Sequence, residues 1–406
     1  MGASARTGTD GGGYPARVNF ADATSASPGA QPPRSEATAA PEPRVCLAHD
    51  YLLVMRGAER TFAAIADMYP RAPIFTLLYD EEGTGGRLAG REIVTSSLQR
   101  LGVRQSSFRR LLPLYPRAIE RLALPDCELV LSSSSAFAHG VRATAGAVHV
   151  CYCHAPFRYA WYEQARALAE APAPLRGLLR LQLARMRRWD LRASARVDDY
   201  VANSQLTRER IARHYGREST IIHPPVETDR FAPGAPGDAL LVVSELVPHK
   251  RLRVALAAAR LAGAPVRVAG AGPDLEALRR EHPEADFLGR VEDRELAGLY
   301  ASARAVIVPS MEEFGIAAVE AQAAGRPVIA AAAGGALETV IDGETGTLAR
   351  LDDVDSFRRA IEGLDKLGLE PARAVQNAER FSVAAFRRRL SEHVQRVLER
   401  RAAGSS

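Results

Sequence analysis

The sequence predicts an α/β protein made of two Rossmann-like domains, and three observations predict it. From Arg44 onward, short apolar runs bounded by Gly, Pro or polar residues alternate with helix-period stretches. The alternation restarts at Ala239 after residues Phe231–Asp238, a Pro- and Gly-rich segment that reads as an inter-domain linker. A chain of 406 residues has room for two domains and a tail.

Residues 1–43 are rich in Gly, Ala, Ser and Pro without periodicity, so a disordered tail is expected there. The formal net charge is +5, carried by arginine, which is too mild to suggest a nucleic-acid partner. No run of 18 apolar residues exists, which argues against a membrane span. The N-terminus lacks the apolar core of a secretory signal, and Arg6 spoils a myristoylation motif. The four cysteines, Cys46, Cys127, Cys151 and Cys153, lack zinc spacing and read as small core residues. The expected setting is cytoplasmic, without metal or cofactor.

In the first domain, Val45–Ala48 reads as a strand, and Arg56-Gly57-Ala58-Glu59-Arg60 opens a helix to about Met68. Gly57 fits either close approach to a phosphate or an ordinary strand-to-helix turn. Residues 97–124 and 175–196 read as basic helices with arginines among leucines, suited either to anionic lipid or to a solvated face over a packed one. Between them the strand 147–152 runs straight into Cys153-His154-Ala155-Pro156, where open α/β sheets present ligand groups. Ser204 is placed to cap the helix that follows it.

In the second domain the strands 239–243 and 265–269 flank a helix from Leu252. Gly270-Ala271-Gly272-Pro273 fails the dinucleotide fingerprint, because Leu275 stands where its third small residue belongs. That speaks against a nicotinamide or flavin enzyme. The most informative stretch is Val306–Ala330: a strand, a loop carrying Glu312, Phe314 and Gly315, a helix from Ile316, and another strand. The helix start offers unpaired N–H groups and partial positive charge to a phosphate. A helical rise over the eight residues between Glu312 and Glu320 is about 12 Å. Glycosidase pairs stand roughly 5 to 9.5 Å apart, so a hydrolase pair is disfavoured.

Glu312-x7-Glu320 with Phe314-Gly315 inside it, Gly325-x-Pro327-Val328 and Gly334-Gly335-x-x-Glu338 closely resemble the retaining glycosyltransferases of family 4, also called group 1. His49-Asp50-Tyr51, Gly57-Ala58-Glu59-Arg60, the run Tyr152–Trp161, Ala202-Asn203-Ser204 and Val247–Arg251 resemble a subgroup acting on O-antigen, exopolysaccharide or glycolipid, often as mannosyltransferases. The resemblance implies the GT-B architecture: an acceptor domain (44–230) and a sugar-nucleotide domain (231–379) facing across a cleft, with a final helix (about 380–400) crossing back. It implies a nucleotide-sugar donor, a lipid-linked or glycan acceptor, and peripheral contact with the inner face of a membrane through the basic helices.

It also implies roles. Lys250 matches the lysine on the donor diphosphate, with Arg251 sharing the charge, and the amides of Phe314, Gly315 and Ile316 would hold phosphate. Glu312 matches the contact to the donor sugar and Glu320 the contact to the ribose. His154 matches a histidine near sugar and acceptor, and Gly57 a loop near the reacting centre. Gly334 and Gly335 would wall the donor site, with Glu338 supporting its loop. Two positions depart from the pattern: Arg56 replaces a glycine, and Ser244-Glu245 stand near where an arginine is common. A sugar-nucleotide-binding protein without turnover, or a transferase using a UDP-sugar, stays open beside GDP-mannose.

Overall fold

The computed structural model describes residues 43–102 and 107–404. The expected tail, up to residue 42, and Arg104 of the first basic stretch lie outside them. Strands β1 (Val45–His49), β2 (Ile74–Thr76), β3 (Ile93–Thr95), β4 (Leu129–Ser134), β5 (Val148–Cys153), β6 (Asp199–Ala202) and β7 (Thr220–Ile221) form one sheet. Its order is β3-β2-β1-β4-β5-β6-β7, and every pair is parallel. A second parallel sheet holds β8 (Leu240–Val243), β9 (Val266–Ala269), β10 (Asp286–Gly289), β11 (Val306–Val308), β12 (Val328–Ala331) and β13 (Gly346–Ala349). Its order is β10-β9-β8-β11-β12-β13.

Helices cover both faces of each sheet, so central strands are buried along their whole length and read as apolar runs. Each sheet therefore carries apolar clusters on both faces, two on the second sheet and three on the first, where Cys151, Cys153, Tyr200 and Ala202 of β5 and β6 join a smaller one. The expectation of two Rossmann-like domains in the GT-B arrangement holds. β3 and β13 are additions to the strands expected from the sequence.

The helix Val383–Gly404 follows the second domain in sequence but packs on the first. Phe386, Leu390, Val394 and Val397 enter the cluster formed by Leu47, Leu131 and Val150. Phe386 meets the Tyr152 ring edge-on at 5.6 Å. Arg387 pairs with Asp67 at 2.7 Å, and His393 Nε2 lies 2.7 Å from Asp199 Oδ1. The chain thus passes between the domains twice. The two passages lie side by side, with Val226 N–H donating to Phe381 O at 2.9 Å.

The first basic stretch corrects the expectation of one helix over 97–124. It is a 3₁₀ turn at Ser97–Leu101, another at Phe108–Leu114, and a short α-helix Tyr115–Glu120. Gly102 in the left-handed region ends the first piece, and Pro113 and Pro116 interrupt the rest. The second basic stretch is continuous from Arg176 to Ser194.

Because Phe386 is buried at the joint between the crossing helix and the first sheet, Phe386→Ala is expected to cost about 3–5 kcal/mol. Urea unfolding followed by circular dichroism measures it.

Candidate active site

In each sheet the strand order reverses once, between β1 and β4 and between β8 and β11. Loops leaving the carboxyl ends on either side of such a reversal diverge to opposite faces and leave a crevice between them. The two crevices meet in a cavity of about 380 Å³. Gly57, Ser135 and His154 line it from the first domain; Lys250, Glu312 and Ile316 line it from the second.

The first wall is set by buried polar groups at the strand ends. Asp50, one residue past β1, accepts from the amides of Ser135 (2.6 Å), Phe137 (2.8 Å) and Ala138 (2.6 Å). This holds the loop after β4 against the cavity and satisfies a carboxylate that would be costly to bury alone. Ser133 Oγ at the end of β4 lies 2.8 Å from His154 Nε2 and 3.1 Å from His49 Nδ1. Burial pushes both histidines down to about 3. His154 therefore meets the cavity as a neutral ring, oriented through Ser133. Gly57 opens the helix Gly57–Ala66, and a Cβ there would come within 3.0 Å of Ile316 Cδ1 across the cleft.

The second wall is the loop between β11 and the helix Ile316–Ala323. The Glu312 carboxylate accepts from Lys250 Nζ at 2.5 Å and from Ser310 Oγ. Gly315, at φ +90, turns the chain into the helix, whose start carries no side-chain cap. Among the described residues no side chain takes up its first amides, although Ala318 N donates to Gly315 O at 3.1 Å. Gly334 and Gly335 do not line the cavity. They back the loop so closely that a Cβ on either would fall 2.2 Å from the carbonyl oxygen of Glu312 or Phe314. Phe314 keeps its backbone at the cavity, but its ring is buried between His223 (5.5 Å) and Phe381 (5.4 Å).

Glu320 opens instead onto an adjoining cavity of about 660 Å³ and accepts from Tyr300 Oη at 2.8 Å. Burial raises its carboxyl above the usual range, against the bond from Tyr300. Glu312 lies in the loop and not on the helix, so the helical-rise argument is replaced by a direct one: the two carboxylates serve different cavities.

Seven of the expected residues thus meet at one cavity: Gly57, His154, Lys250, Glu312, Phe314, Gly315 and Ile316. Arg251 does not join them. It adopts the left-handed conformation at φ 57, and its side chain pairs with Asp352 at 3.0 Å. Glu338, expected to support the donor-site loop, reaches His223, whose ring packs on Phe314. Its carboxylate accepts from Gln205 N (2.8 Å) and bonds His223 Nε2 (2.9 Å), tying the two domains together.

Sequence reasoning missed a second tie, Arg210 to Glu313 at 3.0 Å. Burial pushes Glu313 up, but Arg158 and Arg210 outweigh it and hold the carboxyl below the usual range. Their separations of 115 and 103 residues leave no local signal for either pair. Among the described residues no group of three or more His, Cys, Asp or Glu is placed to hold a metal ion.

Known proteins share sequence and fold with the chain. The model described as Glycosyltransferase Family 4 matches residues 55–230, and that described as Glycosyl transferases group 1 matches residues 226–381. The two models together span residues 55–381, so each half of the chain matches a glycosyltransferase model, Family 4 the first and group 1 the second. It is 36% identical over 206 residues to a D-inositol 3-phosphate glycosyltransferase of Mycobacterium avium, covering 44% of this chain and 49% of that protein. It is 33% identical over 195 residues to a GDP-mannose-dependent alpha-(1-6)-phosphatidylinositol monomannoside mannosyltransferase of Mycolicibacterium smegmatis, covering 40% and 51%. The matches span about half the length of these relatives.

Two solved structures share the fold. Alr3699/HepE of Anabaena, in complex with UDP, gives a TM-score of 0.65 at 20% identity over 87% of this chain and 99% of that one. Sucrose-phosphate synthase of Thermosynechococcus elongatus gives 0.67 at 18% identity over 87% and 99%.

Buried titratable groups make stability depend on pH. His49, His149 and His154 are pushed down to about 3 by burial, so the unfolded chain takes up three protons near pH 6.5 that the native state refuses. Glu59, raised to about 7 by burial, and Glu320, also raised, act oppositely above pH 4.5, holding protons in the native state. Three outweigh two, so the melting temperature should fall as pH drops from about 6.5 to 4.5, and faster below it, where both carboxyls are protonated in either state. A melting temperature that stays level or rises between pH 6.5 and 4 in thermal scans at constant ionic strength contradicts this assignment.

Proposed function

We propose that the protein is a retaining glycosyltransferase that moves a hexose from a nucleoside-diphosphate donor to a lipid-linked glycan or glycolipid, with GDP-mannose the first donor to try. The observation that carries the reading is the convergence, on one cavity, of Lys250, Glu312, an uncapped helix start and the neutral ring of His154. Departure of a nucleoside diphosphate develops negative charge that must be met by donors already in place. Lys250 and the amides from Gly315 onward supply them, without a metal.

Glu312, held by Lys250 and Ser310, accepts from hydroxyls of the sugar. His154, neutral and anchored on Ser133, bonds the sugar or the incoming acceptor. Glu320, at the head of the adjoining cavity, accepts from the ribose. GDP-mannose is favoured over a UDP-sugar by the GDP-mannose-dependent relative. Both relatives named above act on inositol-containing acceptors, so inositol phosphates and phosphatidylinositol glycosides belong among the acceptors tested.

The assay is donor consumption and product formation over a panel of GDP- and UDP-sugars in EDTA, with the product anomer read by NMR. Lys250→Ala is expected to lower kcat by about 10²–10³-fold, and Glu312→Ala to act in the same direction. Unchanged turnover in both variants removes the site assignment. Tight nucleotide binding without turnover on any acceptor instead identifies a binding protein.

Contact with an anionic membrane accompanies this reading. The helix Arg176–Ser194 packs Leu183, Met186 and Trp189 inward, while Leu178 and Leu181 remain 65% and 46% exposed among arginines. Exposed leucines flanked by cations suit the headgroup boundary. Among the described residues no helix is long and apolar enough to cross a membrane. Co-sedimentation with vesicles containing anionic lipid, and not with neutral ones, is expected. Equal, negligible sedimentation with both overturns the membrane contact.

A further inference from the structure

The two cavities of the cleft adjoin, and Gly57, Val243, Ser244, Glu245 and Ile316 line both. A donor with its sugar beside Glu312 and its nucleoside beside Glu320 must pass its diphosphate through this junction. The junction carries a charge conflict. The Glu245 carboxylate stands there, and a diphosphate beside it would suffer like-charge repulsion. The cation facing Glu245 comes from the opposite domain: Arg56 Nη1 lies 3.7 Å from Glu245 Oε2. Arg56 is the residue that caps the helix Gly57–Ala66, and Glu59 accepts its backbone N–H at 3.1 Å, so its main chain is held while its side chain extends across the cleft.

Two neighbouring cations, Lys250 and Arg60, are more tightly engaged. Lys250 lies 2.5 Å from Glu312, and Arg60 lies 2.9 Å from Asp293. The Arg56–Glu245 pair is long, and both side chains are half exposed, at 56% and 50%. Such a pair is worth little and costs little to break. A guanidinium binds phosphate through two parallel hydrogen bonds, a stronger contact than the loose one it has here.

We infer that Arg56 is a diphosphate-binding residue contributed by the first domain, held by Glu245 while the cleft is empty and handed to the donor when it enters. The inference rests on the nucleoside-diphosphate reading above. It makes donor binding draw on both domains: the diphosphate replaces one cross-cleft ion pair with a contact that still spans the cleft. Glu245 becomes a competitor whose removal strengthens binding.

The experiment is calorimetric titration of the full chain with GDP, UDP and the corresponding nucleosides, on wild type, Arg56→Ala, Glu245→Ala and the double variant, with a thermal melt of each to confirm folding. Arg56→Ala is expected to weaken diphosphate binding about ten- to a hundredfold, the loss of charge-assisted hydrogen bonds, and to leave nucleoside binding within about twofold. Glu245→Ala is expected to tighten diphosphate binding. The double variant separates the roles. If Arg56 contacts the diphosphate, the double variant binds about tenfold or more weakly than Glu245→Ala. If Arg56 only neutralises Glu245, the two bind alike and the inference is overturned. Arg56→Ala binding as wild type does overturns it while the donor reading stands. A folded wild type that binds neither diphosphate overturns the donor reading and this inference with it.

Discussion

Parallel strands deliver all their carboxyl ends to one edge of a sheet, and the catalytic reading rests on that constraint. Each sheet here reverses its order once, so each has one place on that edge where loops part. The residues that follow the four flanking strands, Asp50, Ser135, Ser244 and Pro309, begin the loops around the cleft. Nothing in the cleft has to be brought there by a long excursion of chain. His154 needs only the end of β5, and Lys250 only the short loop after β8. The crossing helix then holds the sheets in one chain without occupying the edge they share.

The electrostatics of the cleft follow a consistent division. Groups in and behind the wall are neutral or fully paired: Asp50 under its three amides, His49 and the cavity-lining His154 about Ser133, Glu338 with His223 and Gln205. Groups at the surface of the cavity are charged and paired, Lys250 closely with Glu312 and Arg56 loosely with Glu245. The buried set gives the shape its rigidity, because an unsatisfied partner there would be expensive. The exposed set holds charge in readiness at small cost.

Much of this was legible in the residues. The alternation of apolar runs and helices, the Pro/Gly break before Ala239 and the loop around Glu312 each express a local rule, and Ser204 caps its helix as expected, accepting from Thr207 N at 3.3 Å. What was not legible has physical causes. A three-residue strand such as β3 is defined by its neighbour and not by its own pattern. The first basic stretch has helix-like spacing, yet its prolines and Gly102 cut it into turns. Arg251 follows Lys250 in sequence, but one left-handed residue sends the two side chains to different places. Arg56 and Glu245 each looked like a lone departure. Only the fold shows that they face each other.

The two passages of chain between the domains have a mechanical meaning. A single tether would leave one domain free to swivel in every direction about the other. Here Val226 and Phe381–Ser382 lie side by side, joined by a single parallel bridge and one backbone hydrogen bond. A doubled strap of this kind bends readily in one direction and resists twist, so any opening of the cleft is a hinge motion with its axis near that strap. Displacement grows with distance from the axis. Phe381 packs against both His223 and Phe314, so the donor loop is seated at the pivot. Opening the jaws would move their rims farthest and leave the loop that would grip the donor nearly still.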